Sequence, residues 1–202
     1  MQVQVSDIAK AIQDSNILGF APEGEPFTLK DGSKSFFFYN VGNCASPVER
    51  LVLARAIVGR LLAFGVDNFD AIYGPAYKGI GLAFDVSMIL YLEHSVIKPV
   101  VYNRKEAKDH GEGGVLVGAD PAPGLRLVVL DDVLTGGKAK RESADIINEY
   151  GMSLVLVVVI IKRAAQGVAE DLAEELDAEV VWVVTHEELK PFFSNIPAYV
   201  DK

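Results

Sequence analysis

The 202-residue chain holds a single cysteine, Cys44, so no internal disulfide can form, and no second thiol stands at metal-ligand spacing. Cys44 reads as a small passive residue. Long apolar runs are missing as well. The most apolar stretch, Leu154 to Ile161, has strand length, far short of the roughly 18–20 residues a membrane helix needs. The first residues, with Asp7 and no basic region, do not read as a secretory signal. A soluble, cytoplasmic protein is expected. Positive charge is scarce too: 19 Lys and Arg stand against 28 Asp and Glu, a net charge of −9. No overall basic surface exists for nucleic acid or an anionic membrane, and any local cluster of cations stands out. Half of the residues are apolar, ample for one full core at this length.

The most informative stretch is Leu125 to Arg141, LRLVVLDDVLTGGKAKR. Leu125 to Leu130 has the composition of a buried strand, and it runs into Asp131-Asp132 and then Gly136-Gly137. From Lys138 to Tyr150, the apolar residues Ala144, Ile146, Ile147 and Tyr150 recur at helical spacing, with Gly151 as the stop. Strand, acidic and glycine-rich turn, helix is the order in which open α/β sheets bind anions, because backbone amides and the helix dipole converge there. The turn is not a Walker A loop, since Gly137-Lys138 is followed by Ala139 and the earlier glycine is Asp132. Nor does Gly79-Ile80-Gly81 or Gly111-Glu112-Gly113 complete a dinucleotide fingerprint. Two carboxylates beside a phosphate cradle suit a ligand carrying both a phosphomonoester and a sugar diol.

Along the chain, Ser6 to Leu18 reads as an amphipathic helix with Ser6 as N-cap. Phe27 to Lys30 and Ser35 to Asn40 flank Asp31-Gly32-Ser33-Lys34 as a hairpin. Val48 to Phe64 is a helix with a broad apolar face. Asp70 to Tyr73 is a strand entering Gly74-Pro75-Ala76-Tyr77-Lys78-Gly79, a second glycine-bearing loop, before the helix Ile80 to His94. Pro99 to Tyr102 is a strand that opens into a polar loop, residues 102–116, with Arg104, Lys105, Lys108 and His110 among glycines: the composition of a mobile lid over an anion. Leu154 to Ile161 is a buried strand ending in Lys162-Arg163, where an arginine can grip a carboxylate bidentately. Gly167 to Leu176 is a helix and Val180 to Val184 a strand. His186-Glu187-Glu188-Leu189-Lys190 lacks the second histidine of a zinc helix, so no zinc site is expected. The alternation predicts a single α/β domain over residues 1–202: a mostly parallel central sheet flanked by helices (48–202), under a small N-terminal hood containing a β-hairpin (1–47).

VVLDDVLTGG, Val128 to Gly137, resembles the phosphoribosyl-diphosphate (PRPP) motif of the type I phosphoribosyltransferases. GPAYKG and YNRKEAKDHGEGG narrow that resemblance to the orotate phosphoribosyltransferase family. The resemblance implies transfer of the phosphoribosyl group of PRPP to orotate, with Mg²⁺ held mainly by PRPP and water, giving orotidine 5′-monophosphate and diphosphate in pyrimidine biosynthesis. It implies that Asp131 and Asp132 hold the ribose hydroxyls and that Val133, Leu134, Thr135, Gly136, Gly137, Lys138 and Ala139 form the PRPP loop. Tyr77 and Lys78 would meet the diphosphate, with a non-proline cis peptide at Ala76-Tyr77. Arg104, Lys105, Lys108 and His110 would neutralise the leaving group, Lys105 serving the neighbouring subunit of a homodimer. Orotate would meet Lys30, Phe38, Tyr39, Thr135 and Arg163. A purine acceptor has no carboxylate to engage Arg163, and a non-catalytic PRPP-sensing or RNA-binding regulator has little use for the whole lid. One departure concerns Lys138, which stands where the family has a threonine or serine. Either its ammonium turns back onto the phosphate, the arrangement favoured here, or it points to solvent and leaves binding to the loop amides.

Overall fold

The computed structural model describes residues 3–22, 25–28, 34–108 and 114–194, and of residues 105–108 and 114 the backbone only. Helix α1 (Val5–Asp14) buries Ile8, Ala9, Ala11 and Ile12. Its cap is Gln4 rather than Ser6, because the Gln4 N–H donates to the Asp7 carboxylate at 2.9 Å, three residues on. It stops short of the expected Leu18: Asn16 takes φ +51°, and the chain leaves as strand β1 (Leu18–Phe20).

The expected single hairpin is two small antiparallel pairs. Strand β2 (Phe27–Thr28) pairs with β3 (Lys34–Ser35), whereas β4 (Phe37–Tyr39) pairs with β1. The run 35–40 divides at Phe36 because Ser35 turns inward, its hydroxyl donating to the Phe37 carbonyl at 2.6 Å. Phe37 and Tyr39 then point into the core and Phe38 to the other face, the period-two alternation of a strand.

Helix α2 (Pro47–Phe64) opens on a Ser46 cap with proline at its first position and ends at Gly65, φ +98°. Strand β5 (Ala71–Gly74) leads into helix α3 (Lys78–His94). Strand β6 (Val100–Lys108) runs well past Tyr102 and pairs antiparallel with β7 (Gly114–Gly118). The described parts of the expected lid loop, 102–108 and 114–116, are therefore strands of a two-stranded arm, despite their charge and glycine content. Tyr102 pairs with Val117, Asn103 with Leu116 and Lys108 with Gly114, with an irregular register between Asn103 and Lys108. Strand β8 (Arg126–Leu134) likewise continues through both aspartates, with Asp131 opposite Val159, because the longer parallel neighbour β9 (Ser153–Lys162) keeps supplying partners. Helices α4 (Lys138–Glu149) and α5 (Val168–Leu176), strand β10 (Glu179–Thr185) and helix α6 (His186–Phe193) complete the chain.

The main sheet runs β10-β9-β8-β5-β6-β7, parallel throughout except for β6–β7. Alternate residues of β8 face opposite layers. Val128 and Leu130 pack with residues of α1, α2, α3 and α6, and Leu127 and Val129 with residues of α4 and α5. Adjacent strands β5 and β8 thus send their following helices to opposite faces of the sheet. Such a switch point opens a crevice at the carboxyl ends of the two strands. The loops 74–79 and 131–138 sit at its lips.

Candidate active site

At the end of β8 each aspartate is held twice. Asp131 Oδ1 accepts the Asp132 N–H at 2.9 Å, and its Oδ2 accepts the ammonium of Lys140 at 2.5 Å. Asp132 Oδ1 accepts the Val133 N–H at 2.8 Å, and its Oδ2 accepts Lys78 Nζ at 2.9 Å. Burial, and next the adjacent Asp131 charge, push the Asp132 carboxyl above its usual range, against the pull of Lys78. Lys140 also donates to the Val133 carbonyl at 2.7 Å, and its side chain is 4% exposed. Breaking a buried pair of this kind by removing one partner costs about 3–5 kcal/mol, because the other charge stays behind unpaired. Within a charged run, Lys140 reads as solvated, and nothing in the sequence marks it as buried.

The turn passes through exposed Thr135 and Gly136 to Gly137, whose φ of +79° lets it close the approach to α4. The Arg141 guanidinium braces the turn from outside, donating to the Gly136 carbonyl at 2.6 Å while gripping Glu175. By helix geometry, the first-turn amides of α4 face the crevice and add partial positive charge there. Lys138 does not turn back over that cradle. Its ammonium lies 3.7 Å from Glu142 Oε1, one helical turn onward, and its side chain is 81% exposed. Here it lies along the helix surface toward its i+4 carboxylate, as a first-turn lysine can.

The opposite lip is the loop after β5, with Tyr77 exposed and the Ala76-Tyr77 peptide cis. A Cβ on Gly74 would fall 2.5 Å from the Gly79 carbonyl oxygen, and one on Gly79 would meet Leu130 O at 2.9 Å. Only glycine lets this loop lie so close against β8. The Ala76 N–H donates to Asn103 Oδ1 at 3.1 Å, which ties the loop to the root of the β6–β7 arm, next to half-buried Arg104. The side chains of Lys105 and Lys108, together with Lys30 and His110, lie outside the described residues.

Arg163 follows β9, and its N–H donates to the Leu134 carbonyl at 2.9 Å, which roots it one residue from Thr135. Its guanidinium donates to Ser35 Oγ at 2.6 Å and lies 4.4 Å over the Phe37 ring. Phe37 also stacks with His186, centroids 5.0 Å apart, and Tyr39 Oη lies 3.1 Å from His186 Nδ1. The Tyr39 side chain is therefore spent on the core. Phe38, edge-on to Phe27 with centroids 4.9 Å apart, is the half-buried ring of β4. Ser35, Phe37 and Asn103 were not singled out from the sequence, since each acts through a partner far away along the chain.

A profile for the phosphoribosyl transferase domain matches residues 49–190. Fold and site thus define a phosphoribosyltransferase. The chain is 37% identical over 204 aligned positions to the orotate phosphoribosyltransferase of Mannheimia succiniciproducens, covering 98% of this chain and 92% of that one. Among solved structures, orotate phosphoribosyltransferase from Francisella tularensis superposes with a TM-score of 0.72 at 27% identity, covering 92% of this chain and 89% of that one. Leishmania donovani UMP synthase gives 0.78 at 27% identity, with 96% of this chain matching 39% of that longer one. The chain belongs to the orotate phosphoribosyltransferase family.

Proposed function

We infer that the chain transfers the phosphoribosyl group of PRPP to orotate, releasing diphosphate and forming orotidine 5′-monophosphate on the route to UMP. The observation that carries this reading is the backbone bond from Arg163 to Leu134, which sets a carboxylate-gripping cation at the strand end that also bears the acidic pair and the turn. In this reading, the turn from Val133 to Ala139 cradles the 5′-phosphate through its amides, and the acidic pair faces the ribose diol. Lys78 and the backbone at Tyr77 meet the diphosphate, joined by Arg104, Lys105, Lys108 and His110 of the arm. Phe38 and Arg163, with Thr135 and Lys30, take the planar, anionic base.

No protein nucleophile is required. As diphosphate departs, positive charge grows on the ribose, and the acidic pair lies where it stabilises that charge while the cations neutralise the leaving group. Among the described residues no group of three or more His, Cys, Asp or Glu side chains could hold a metal ion. The donors at hand, carboxylates already engaged by lysines, fit a hard cation carried in by the substrate's own oxygens, with Asp132 beside it. Bound Mg²⁺ would supply charge neutralisation of the diphosphate.

A homodimer is part of the proposal. Phe84, Met88, Tyr91 and Leu92 recur along α3 at helical spacing, each more than half exposed, with Ile97 just beyond at 76%. An apolar stripe of this kind fits a second copy of the chain. Mixing Lys105→Ala with Asp132→Asn tests whether the arm serves the partner's site: recovered activity supports sharing, and none after verified subunit exchange refutes it. Among the described residues no helix is long and apolar enough to cross a membrane. Because its substrates are intracellular metabolites, we place the reaction in the cytoplasm. The reading is tested by orotate consumption with PRPP and Mg²⁺, run beside adenine and hypoxanthine: turnover of orotate alone is expected, and turnover of a purine instead would overturn it.

A further inference from the structure

The peptide between Gly136 and Gly137 has a glycine on each side, so both torsions that would rotate it are unhindered. Its carbonyl is nevertheless fixed, accepting Arg141 Nη1 at 2.6 Å. A trans peptide points its C=O and N–H in opposite directions, so this bond turns the Gly137 N–H away from Arg141. Gly137 is buried, and its N–H has no hydrogen-bond acceptor among the described residues. A donor left open in a strand–turn–helix cradle points to an anionic ligand.

Arg141 is itself held. Its Nε donates to both oxygens of Glu175, at 2.7 and 2.8 Å, and its Nη2 adds a third contact at 2.7 Å. Glu175 lies one turn along α5 from fully buried Leu172, whose methyl carbons would stand 3.0 and 3.1 Å from a Cβ on Gly137. Helix α5 thus supports the turn twice, by packing at Gly137 and through Arg141 at Gly136. The side chains of the ion pair are 37% and 49% exposed, and a pair that open to water adds little to stability.

We propose that Arg141, seated by Glu175, is a positioning residue for the phosphate: it locks the Gly136–Gly137 peptide with its N–H turned into the cradle before the ligand arrives. The proposal deepens the reading of the turn as the 5′-phosphate cradle and rests on it. Without the guanidinium the glycine peptide rotates, and binding must first restore the productive orientation. The loss falls on the phosphomonoester, since in that reading the diphosphate and the base are received by other groups.

The test uses fragments of the substrate as probes. Ribose 5-phosphate carries the phosphomonoester and the diol without the leaving group, and inorganic diphosphate is the leaving group alone. Inhibition by each against PRPP is measured beside both KM values and thermal melting, in wild type, Arg141→Met, Glu175→Gln and the double variant. Arg141→Met is expected to weaken ribose 5-phosphate and raise KM for PRPP about tenfold, with diphosphate inhibition and KM for orotate within about twofold and melting within about 3 °C. Glu175→Gln should show the same pattern at about threefold, because Arg141 loses its seat. Long-range charge alone predicts the opposite sign there, since removing a carboxylate favours an anion. The double variant should be no worse than Arg141→Met, both side chains acting through one peptide. If Arg141→Met fails to fold, Glu175→Gln decides. Unchanged or tighter ribose 5-phosphate binding in Glu175→Gln overturns the proposal, as does an equal loss of diphosphate binding in Arg141→Met. A wild-type enzyme that ribose 5-phosphate does not inhibit against PRPP overturns instead the reading of the turn itself.

Discussion

The β8–α4 turn and the N-terminal hood meet at Arg163, yet they are held in place by different means. The turn grows from the middle of a six-stranded sheet and is pinned by buried or half-buried ion pairs, Asp131 with Lys140 and Asp132 with Lys78. The hood has strands of only two or three residues, and aromatic stacking of Phe37 on His186 and Arg163 joins it to the far end of the chain. Such short pairs are marginal by themselves and depend on the packing beneath them. The contrast matches two tasks. On the proposed reading, the turn handles phosphoribose through charges held in fixed places, whereas the hood reads the base as a thin cover positioned by side-chain packing.

The largest effect expected from breaking this contrast is on the turn. Asp132→Asn keeps shape and loses charge, so kcat/KM for PRPP should fall roughly 100-fold or more while orotate binding survives, as steady-state kinetics and orotate titration would report. On the hood side, Phe37→Leu fills much of the same volume but removes the stack. A stability loss of about 1–2 kcal/mol is expected, with KM for orotate rising about fivefold and PRPP unaffected. Unchanged orotate kinetics would separate the hood's packing from base recognition. A smaller effect is predicted at Lys138, which lies along the helix: Lys138→Thr should move KM for PRPP by less than about threefold and leave its salt dependence as it was. A flattened salt dependence would restore the ammonium to the phosphate.

The smallest effect concerns neither task. Arg126 grips Asp70 at the amino end of β8, and its hydrogen bonds hold the Asp70 carboxyl down at about 2. A carboxyl depressed on folding contributes stability above its unfolded value near 4, and that contribution fades as pH falls through about 2. Arg126→Ala should therefore lower the melting temperature at pH 7 by only about 1–3 °C, the pair being partly exposed, and the difference should vanish near pH 2.

What could be read from the sequence was the local chemistry. The strand–turn–helix order around Asp131, the glycine loop at Gly74 and Arg163 at a strand end follow from residue type and short spacing, while the cis peptide at Ala76-Tyr77 follows from the family resemblance alone. What could not be read depends on partners distant in the chain. The burial of Lys140 follows from how α4 folds back on β8, and the inward turn of Tyr39 from a histidine 147 residues later. The antiparallel arm of β6 and β7 was hidden by charges and glycines that suggest a loop, since strand pairing there rests on backbone groups that every residue carries. The direction of the Lys138 side chain is likewise not legible in the sequence, since Glu142 at i+4 and a bound phosphate both offer it a partner.

The division of labour between turn and hood is tested most directly by the two Michaelis constants of Arg163→Ala. Arg163 touches both regions, through Leu134 by its backbone and through Ser35 and Phe37 by its guanidinium, but only the side chain is removed. The account predicts that KM for orotate rises about 30-fold or more while KM for PRPP stays within about threefold, because the base loses its bidentate partner and the turn keeps every bond that shapes it. Equal rises in both constants would contradict it.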